Sequence, residues 1–199
     1  IDRLVELSFA PRHTVLSFGD MFKVKGKEHS LSSAKACGGS VRMIYSPLEA
    51  LKLAAENPEK IYVVAAVGFE TTAPAYALLL QQAEEEGLRN IKLLTSIKTI
   101  PAVMEYILST EEIDGFICPG HVCSVTGSGV FDELCGRYNK PFVVAGFSAE
   151  HILCAVYEIV RQAEKGIAGV KNFYPAVVTP EGNIKAKDLL NKFFEPADA

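Results

Sequence analysis

The chain has 199 residues, 49% of them hydrophobic and 22% charged, and its 24 acids against 20 bases leave a net charge of -4. This is the make-up of a globular chain long enough for one α/β domain, or two small ones, with real cores. It has no basic cluster and no basic stripe interleaved with aromatics, so nucleic acid is excluded as an expected partner. No apolar run approaches the ~20 residues of a spanning helix, and no signal peptide is evident; no membrane association and a cytoplasmic location are therefore expected. The five cysteines are odd in number and lack disulfide-framework spacing, as for reduced thiols. The first residues, Ile1-Asp2-Arg3-Leu4, carry no initiating Met and suggest a piece of a longer protein.

In chain order, Asp2 to Ser8 reads as a short amphipathic helix ended by Ala10-Pro11. His13 to Phe18 is a predicted strand, and Gly19 to Lys27 a loop at its tip. Ser30 caps a predicted helix to Cys37, which Gly38-Gly39 stops; Cys37-Gly38-Gly39-Ser40 is therefore a helix end rather than a redox motif. Val41 to Tyr45 is the next strand, and Ser46-Pro47 opens a helix over Leu48 to Glu56. Ile61 to Val67 is seven apolar residues rich in β-branched types, the pattern of a strand buried on both faces of a parallel sheet. It runs into Gly68-Phe69-Glu70-Thr71-Thr72 and then a helix, with Thr71 or Thr72 as cap and Pro74 in the first turn. Further strands are expected at 91–95, 114–118, 141–145 and near 176–178, and further helices at 102–108, 131–138, 148–165 and 185–194.

Strand and helix alternate throughout, so the fold class is α/β with mostly parallel sheets flanked by helices. Gly68-Phe69 followed by a helix is echoed by Gly146-Phe147 followed by a helix, which either two similar α/β lobes facing a cleft or the generic need for glycine at strand ends would explain. The boundaries expected on this basis are 1–58 as part of a first lobe and 59–147 as a second. Residues 148–199 would then be a long helix and a return segment packing on the first lobe.

Two strand-tip stretches carry the candidate chemistry. Glu70 puts a carboxylate at the carboxyl end of the apolar strand, where helix N-termini attract negative charge. A first-turn acid that merely complements a helix dipole is the plain alternative. The second stretch is Cys118-Pro119-Gly120-His121-Val122-Cys123, in which Pro-Gly forces a turn and presents His121. Cys118 and Cys123 are weak metal-ligand candidates: their spacing is not the Cys-x2-Cys of structural zinc sites, and no second pair follows. Cys135 and Cys154 sit among apolar neighbours at helical positions and read as core. His13, His29 and His151 lack partners at useful spacing. Neither a phosphate-binding G-x-x-x-x-G-K-[ST] loop nor a G-x-G-x-x-G turn is present.

Phe18-Gly19-Asp20-Met21, Tyr45-Ser46-Pro47-Leu48-Glu49-Ala50-Leu51, Gly68-Phe69-Glu70-Thr71-Thr72, Pro119-Gly120-His121-Val122 and Val144-Ala145-Gly146-Phe147, in this order, resemble the HypD family of hydrogenase maturation proteins. The resemblance covers nearly the whole chain. It implies a scaffold assisting assembly of the Fe(CN)2CO centre of [NiFe] hydrogenases, together with a HypC-type chaperone and a HypE-type cyanide donor. It also implies iron and a [4Fe–4S] cluster in the full-length family, with two α/β lobes and an iron–sulfur domain. The family's Cys-Gly-Gly-His-Thr-His and Gly-Pro-Gly-Cys-Pro-Val-Cys blocks and its cluster-binding cysteines have no counterpart in these residues, and Cys123 stands where serine is usual. The expectation is a central fragment without a cofactor of its own, inactive alone and part of a scaffold rather than a turnover enzyme. Glu70 and His121 are its catalytic candidates, with Gly68, Phe69, Thr71, Thr72, Pro119, Gly120 and Val122 as cleft walls. A small-molecule transferase binding an anion at the Thr71–Thr72 helix start, and a pure docking module, are the rival readings.

Overall fold

β3, Ile61–Gly68, is the strand on which the first sheet is built. Its alternate residues serve opposite faces: Tyr62, Val64 and Ala66 pack in one core, Val63 and Ala65 in another. This is what an uninterrupted apolar run requires of a parallel strand covered on both sides. In the computed structural model, which describes residues 1–197, four parallel strands form this sheet in the order β2-β1-β3-β4, with β1 at His13–Ser17, β2 at Val41–Met43 and β4 at Ile91–Ile97. Helices α1 (Asp2–Phe9) and α2 (Leu31–Ala36) contribute Leu4, Val5, Leu31 and Ala34 to one core. Helices α3 (Glu49–Glu56) and α4 (Ala73–Glu85) contribute Leu51, Leu53, Tyr76 and Leu79 to the other.

Local sequence explains most of the boundaries. Ser30 and Ser33 form the capping box that starts α2, and Gly38, at φ 95°, ends it. α4 has Thr72 at its N-cap and Pro74 in its first turn, as expected, but no side-chain capping bond from Thr72. Gly68 has φ 145°, and a Cβ there would overlap the Thr72 hydroxyl, so only glycine fits this turn. The chain leaves β1 for β2 on one side and returns to β3 on the other. The carboxyl ends of β1 and β3, where Phe18-Gly19-Asp20 and Gly68 lie, are therefore the switch point at which such sheets bind ligands.

The second sheet has three parallel strands in the order β5-β6-β7: Phe116–Pro119, Phe142–Ala145 and Val170–Asn172. Helices α5 (Ile100–Thr110), α6 (Gly120–Thr126) and α7 (Asp132–Tyr138) accompany it, with α8 (Ala149–Glu164) and α9 (Ile184–Phe193) following. Cys118, Phe142 and Val144 pack with Met104, Phe131 and Leu134, while Val143 and Ala145 pack with Ala155. Two compact units result. Among the described residues, the first holds 1–68, 72–97 and 192–197; the second holds 69–71 and 98–191.

Two expectations are corrected. The last strand is 170–172 rather than 176–178, because the N–H groups of Val177 and Val178 are already taken by the carbonyl of Tyr174 in a turn. Pro119-Gly120 does not form a free turn: it opens α6, so His121 and Val122 are helical. Among the described residues, no helix is long and apolar enough to cross a membrane.

Candidate functional site

Glu70 belongs to the second unit together with Phe69 and Thr71, although Gly68 and Thr72, which flank these three residues, belong to the first. Its side chain is only 7% exposed. Oε1 accepts a 2.7 Å hydrogen bond from the backbone N–H of Ile100, the first residue of α5. Thr99, the N-cap of that helix, makes no side-chain capping bond, so Glu70 performs the capping from a distant part of the chain. Oε2 is buried without a hydrogen-bond partner. Burial raises the Glu70 pKa, outweighing the bonds from its own N–H and that of Ile100, which pull the other way. A buried carboxyl with one oxygen unpaired is poised to keep or exchange a proton.

Cys123 lies close enough to feel the Glu70 charge. Its thiol is pushed up to about 12, mainly by burial and secondarily by that carboxylate. Cys118 is raised as well, again chiefly by burial. Both are fully buried in the same core as Cys135, and all are free thiols. Protonated, desolvated thiols are poor metal ligands and poor nucleophiles. Cys135 is core, as expected; Cys154 is not, being exposed on α8. No group of three or more His, Cys, Asp or Glu side chains that could hold a metal ion occurs among the described residues. The four-thiolate cage of a [4Fe–4S] cluster therefore does not fit this set of donors.

His121 is the second residue of α6 and is exposed. Its ring stacks on Phe147 at 4.9 Å between centroids. Beside it the backbone is tightly drawn: a Cβ on Gly120 would lie 2.7 Å from the Ala145 carbonyl oxygen and 2.7 Å from the Tyr174 ring. A Cβ on Gly146 would lie 2.6 Å from Nδ1 of His151, whose ring is 5.3 Å from that of Tyr174. The carboxyl ends of β5 and β6 thus gather His121, Phe147, His151 and Tyr174. Sequence reasoning singled out His121 and Gly146-Phe147 but set His151 aside and passed over Tyr174 and Ile100. The Gly-Phe echo was the one available signal for Phe147. Tyr174 and Ile100 are distant in sequence, and no local pattern announces them. Among the described residues, no hydrogen bond or ion pair joins Glu70 to His121.

In the first unit, Gly68 ends β3, and the buried Tyr76 hydroxyl donates towards the carbonyls of Ala65 at 3.3 Å and Val67 at 3.4 Å. Burial raises the Tyr76 pKa, and nearby Asp20 raises it further, so the phenol stays a donor under the switch point. A groove of about 320 Å³ bordered by Arg12, His13 and Lys60 lies at the opposite, amino-terminal end of the same strands. It holds none of the candidate residues.

The model of the HypD family, described as "Hydrogenase formation hypA family", matches residues 1–199. This chain belongs to the HypD family. It is 41% identical, over 98% of its length, to the hydrogenase maturation factor HypD of Azotobacter vinelandii, covering 54% of that protein. Against the hydrogenase maturation factor HypD of Escherichia coli strain K12 it is 37% identical over 98% of its length and 52% of that protein. A hydrogenase expression/formation protein of Azotobacter chroococcum is 42% identical over the same share of this chain. The chain thus spans about half the length of the HypD relatives it matches. Two of the HypD-like blocks, Gly68–Thr72 and Pro119–Val122, supply the buried acid and the exposed imidazole described above.

Proposed function

We propose that this chain is part of a [NiFe]-hydrogenase maturation scaffold, in which Glu70 and His121 position and protonate an iron intermediate bearing cyanide and carbonyl ligands, handled as substrate. The observation that carries the reading is Glu70: a buried carboxyl with raised pKa and an unpaired Oε2, within electrostatic reach of Cys123 beside the Pro-Gly-His-Val block. A group that holds its proton in a desolvated site and yields it to a bound ligand suits general acid–base work. His121, stacked on Phe147 and open to solvent, offers a second proton-carrying group at a strand tip. Gly68, Phe69, Thr71, Thr72, Pro119, Gly120 and Val122 shape the backbone that presents these two. A HypC-type chaperone and a HypE-type cyanide donor are the partners this function needs, in the cytoplasm. The iron–sulfur cluster and the iron-binding thiols would be supplied outside these residues.

The test is made in a full-length family protein containing this region. Glu70→Gln and His121→Ala should each abolish or strongly reduce the infrared cyanide and carbonyl bands of the assembled centre, while co-purification of the chaperone persists. Normal bands in both variants would overturn the assignment. Loss of chaperone binding in step with the bands would make the loops a docking surface instead.

A further inference from the structure

Helix α8 carries apolar side chains on both of its sides, and inward Ala155 and Ile159 pack with Val143 and Ala145 of the sheet. The residues it turns inward include Ala155, Glu158 and Gln162, all buried. Outward it presents Ile152, Leu153, Val156, Tyr157 and Val160, between 40% and 69% exposed. These five fall at i, i+1, i+4, i+5 and i+8, one continuous apolar stripe down a 16-residue helix. The inward Glu158 is neutralised locally by a two-pronged bond from Arg161, at 2.7 Å for each contact, and by Gln162 at 2.9 Å. An amphipathic helix ordinarily sends its apolar side to the core, so a contiguous outward stripe marks a surface that something covers.

Two further large apolar side chains of the same unit are exposed. Phe147, 74% exposed, precedes α8. Ile117 on β5 is exposed at the edge of a sheet with only three strands, opposite Val143 in register and so on the face that α8 covers. Sheet edge and helix face are both what remains when a neighbouring layer is missing. Membrane attachment fits poorly, since a helix that lies in a lipid interface carries a Lys- and Arg-rich polar face, whereas α8 has Arg161 as its only such residue.

We propose that the outward face of α8 is the seat of the polypeptide that HypD-family proteins carry beyond the region matched by this chain. Nearly half the length of the relatives lies outside that region. An apolar, uncharged seat suits a permanent intramolecular layer rather than a transient partner. The inference rests on family membership and relative length, not on the roles given to Glu70 and His121.

Cys154, exposed on α8 next to Leu153, is a built-in reporter. With Cys37, the other exposed thiol, changed by Cys37→Ser, a maleimide probe reads Cys154 alone. The 199-residue chain should label rapidly, at a rate independent of protein concentration, and sediment as a monomer. The same residues grafted in place of the matched region of the Azotobacter vinelandii protein, with labelling read by mass spectrometry on the peptide that contains Cys154 because the flanking regions carry cysteines of their own, should label there at least about tenfold more slowly, as for a thiol reached only by local opening. Equal rates in a graft that circular dichroism shows to be folded would overturn the proposal. So would protection in the chain alone that disappears on dilution together with a sedimenting dimer, because a second copy would then be the cover. If the graft does not fold, the intact relative decides: glutamate at its counterparts of Leu153 and Tyr157 should lower its unfolding midpoint by several degrees, and an unchanged midpoint refutes the idea.

Discussion

Glu70 carries two roles at once, and they separate by pH and by substitution. As the acceptor for the first N–H of α5 it is a cap, and Glu70→Ala should cost about 0.5–2 kcal/mol in chemical denaturation, the usual effect of losing an N-cap. As a buried acid with raised pKa it takes up a proton on folding, so its contribution is fully present below the ordinary carboxylate value of 4.5 and is lost as pH rises through the raised one. Glu70→Gln keeps an acceptor for Ile100 and removes that titration. The variant should therefore gain on the parent as denaturation is moved from about pH 4 to about pH 7. A constant difference across that range would mean that Glu70 titrates normally. The thiols offer a simpler check. Cys37 and Cys154 should react with a thiol reagent in the native state, while Cys118, Cys123 and Cys135 should react only on unfolding. The residue type at position 70 was legible in the sequence because a carboxylate at a strand tip is unusual. Its partner was not, since Ile100 lies 30 residues on.

Among the elements, α8 depends on Glu158, whose carboxyl is held at about 2, chiefly by its bond to Arg161. A depressed pKa contributes stability above the unfolded value and loses it as the carboxylate protonates, here between about pH 4.5 and about pH 2. Glu158→Gln should lower stability at neutral pH and flatten the acid limb of the unfolding profile; an acid limb parallel to that of the parent would count against the pairing. In the second sheet, Phe142 is fully buried and touches both Phe116, at 5.0 Å, and Phe131, at 5.5 Å between ring centroids. Phe142→Ala should cost about 3–5 kcal/mol, read by circular dichroism since the chain has no Trp. Periodicity located β6 and α8 well. It could not reveal that the apolar stripe of α8 points outward, because a hydrophobic pattern shows that one face differs from another but not which one meets the sheet.

At the scale of the molecule, two sheets and two compact units mean that damage can be local. Phe142→Ala should unfold the second unit, while Tyr62 and Tyr76, buried in the first, keep their native near-ultraviolet signals. Collapse of both sets of signals in one transition would show that the units fold as a single cooperative body. The whole chain, purified from cells that build iron–sulfur clusters, should be colourless. A brown protein with stoichiometric sulfide would contradict the donor set described above.

By itself the sequence determined the α/β class, the doubly buried β3, most element positions and the family. Each rests on local information: an apolar run, a cap, a glycine turn or a short signature block. Tertiary structure alone decided which unit receives residues 69–71, that Glu70 caps α5, and that His121 rests on Phe147 with His151 and Tyr174 nearby. Those pairings join residues 23 to 30 positions apart, and their partners are chosen by how strands and helices pack. Nothing in the spacing of a single chain encodes a contact made only after two elements meet.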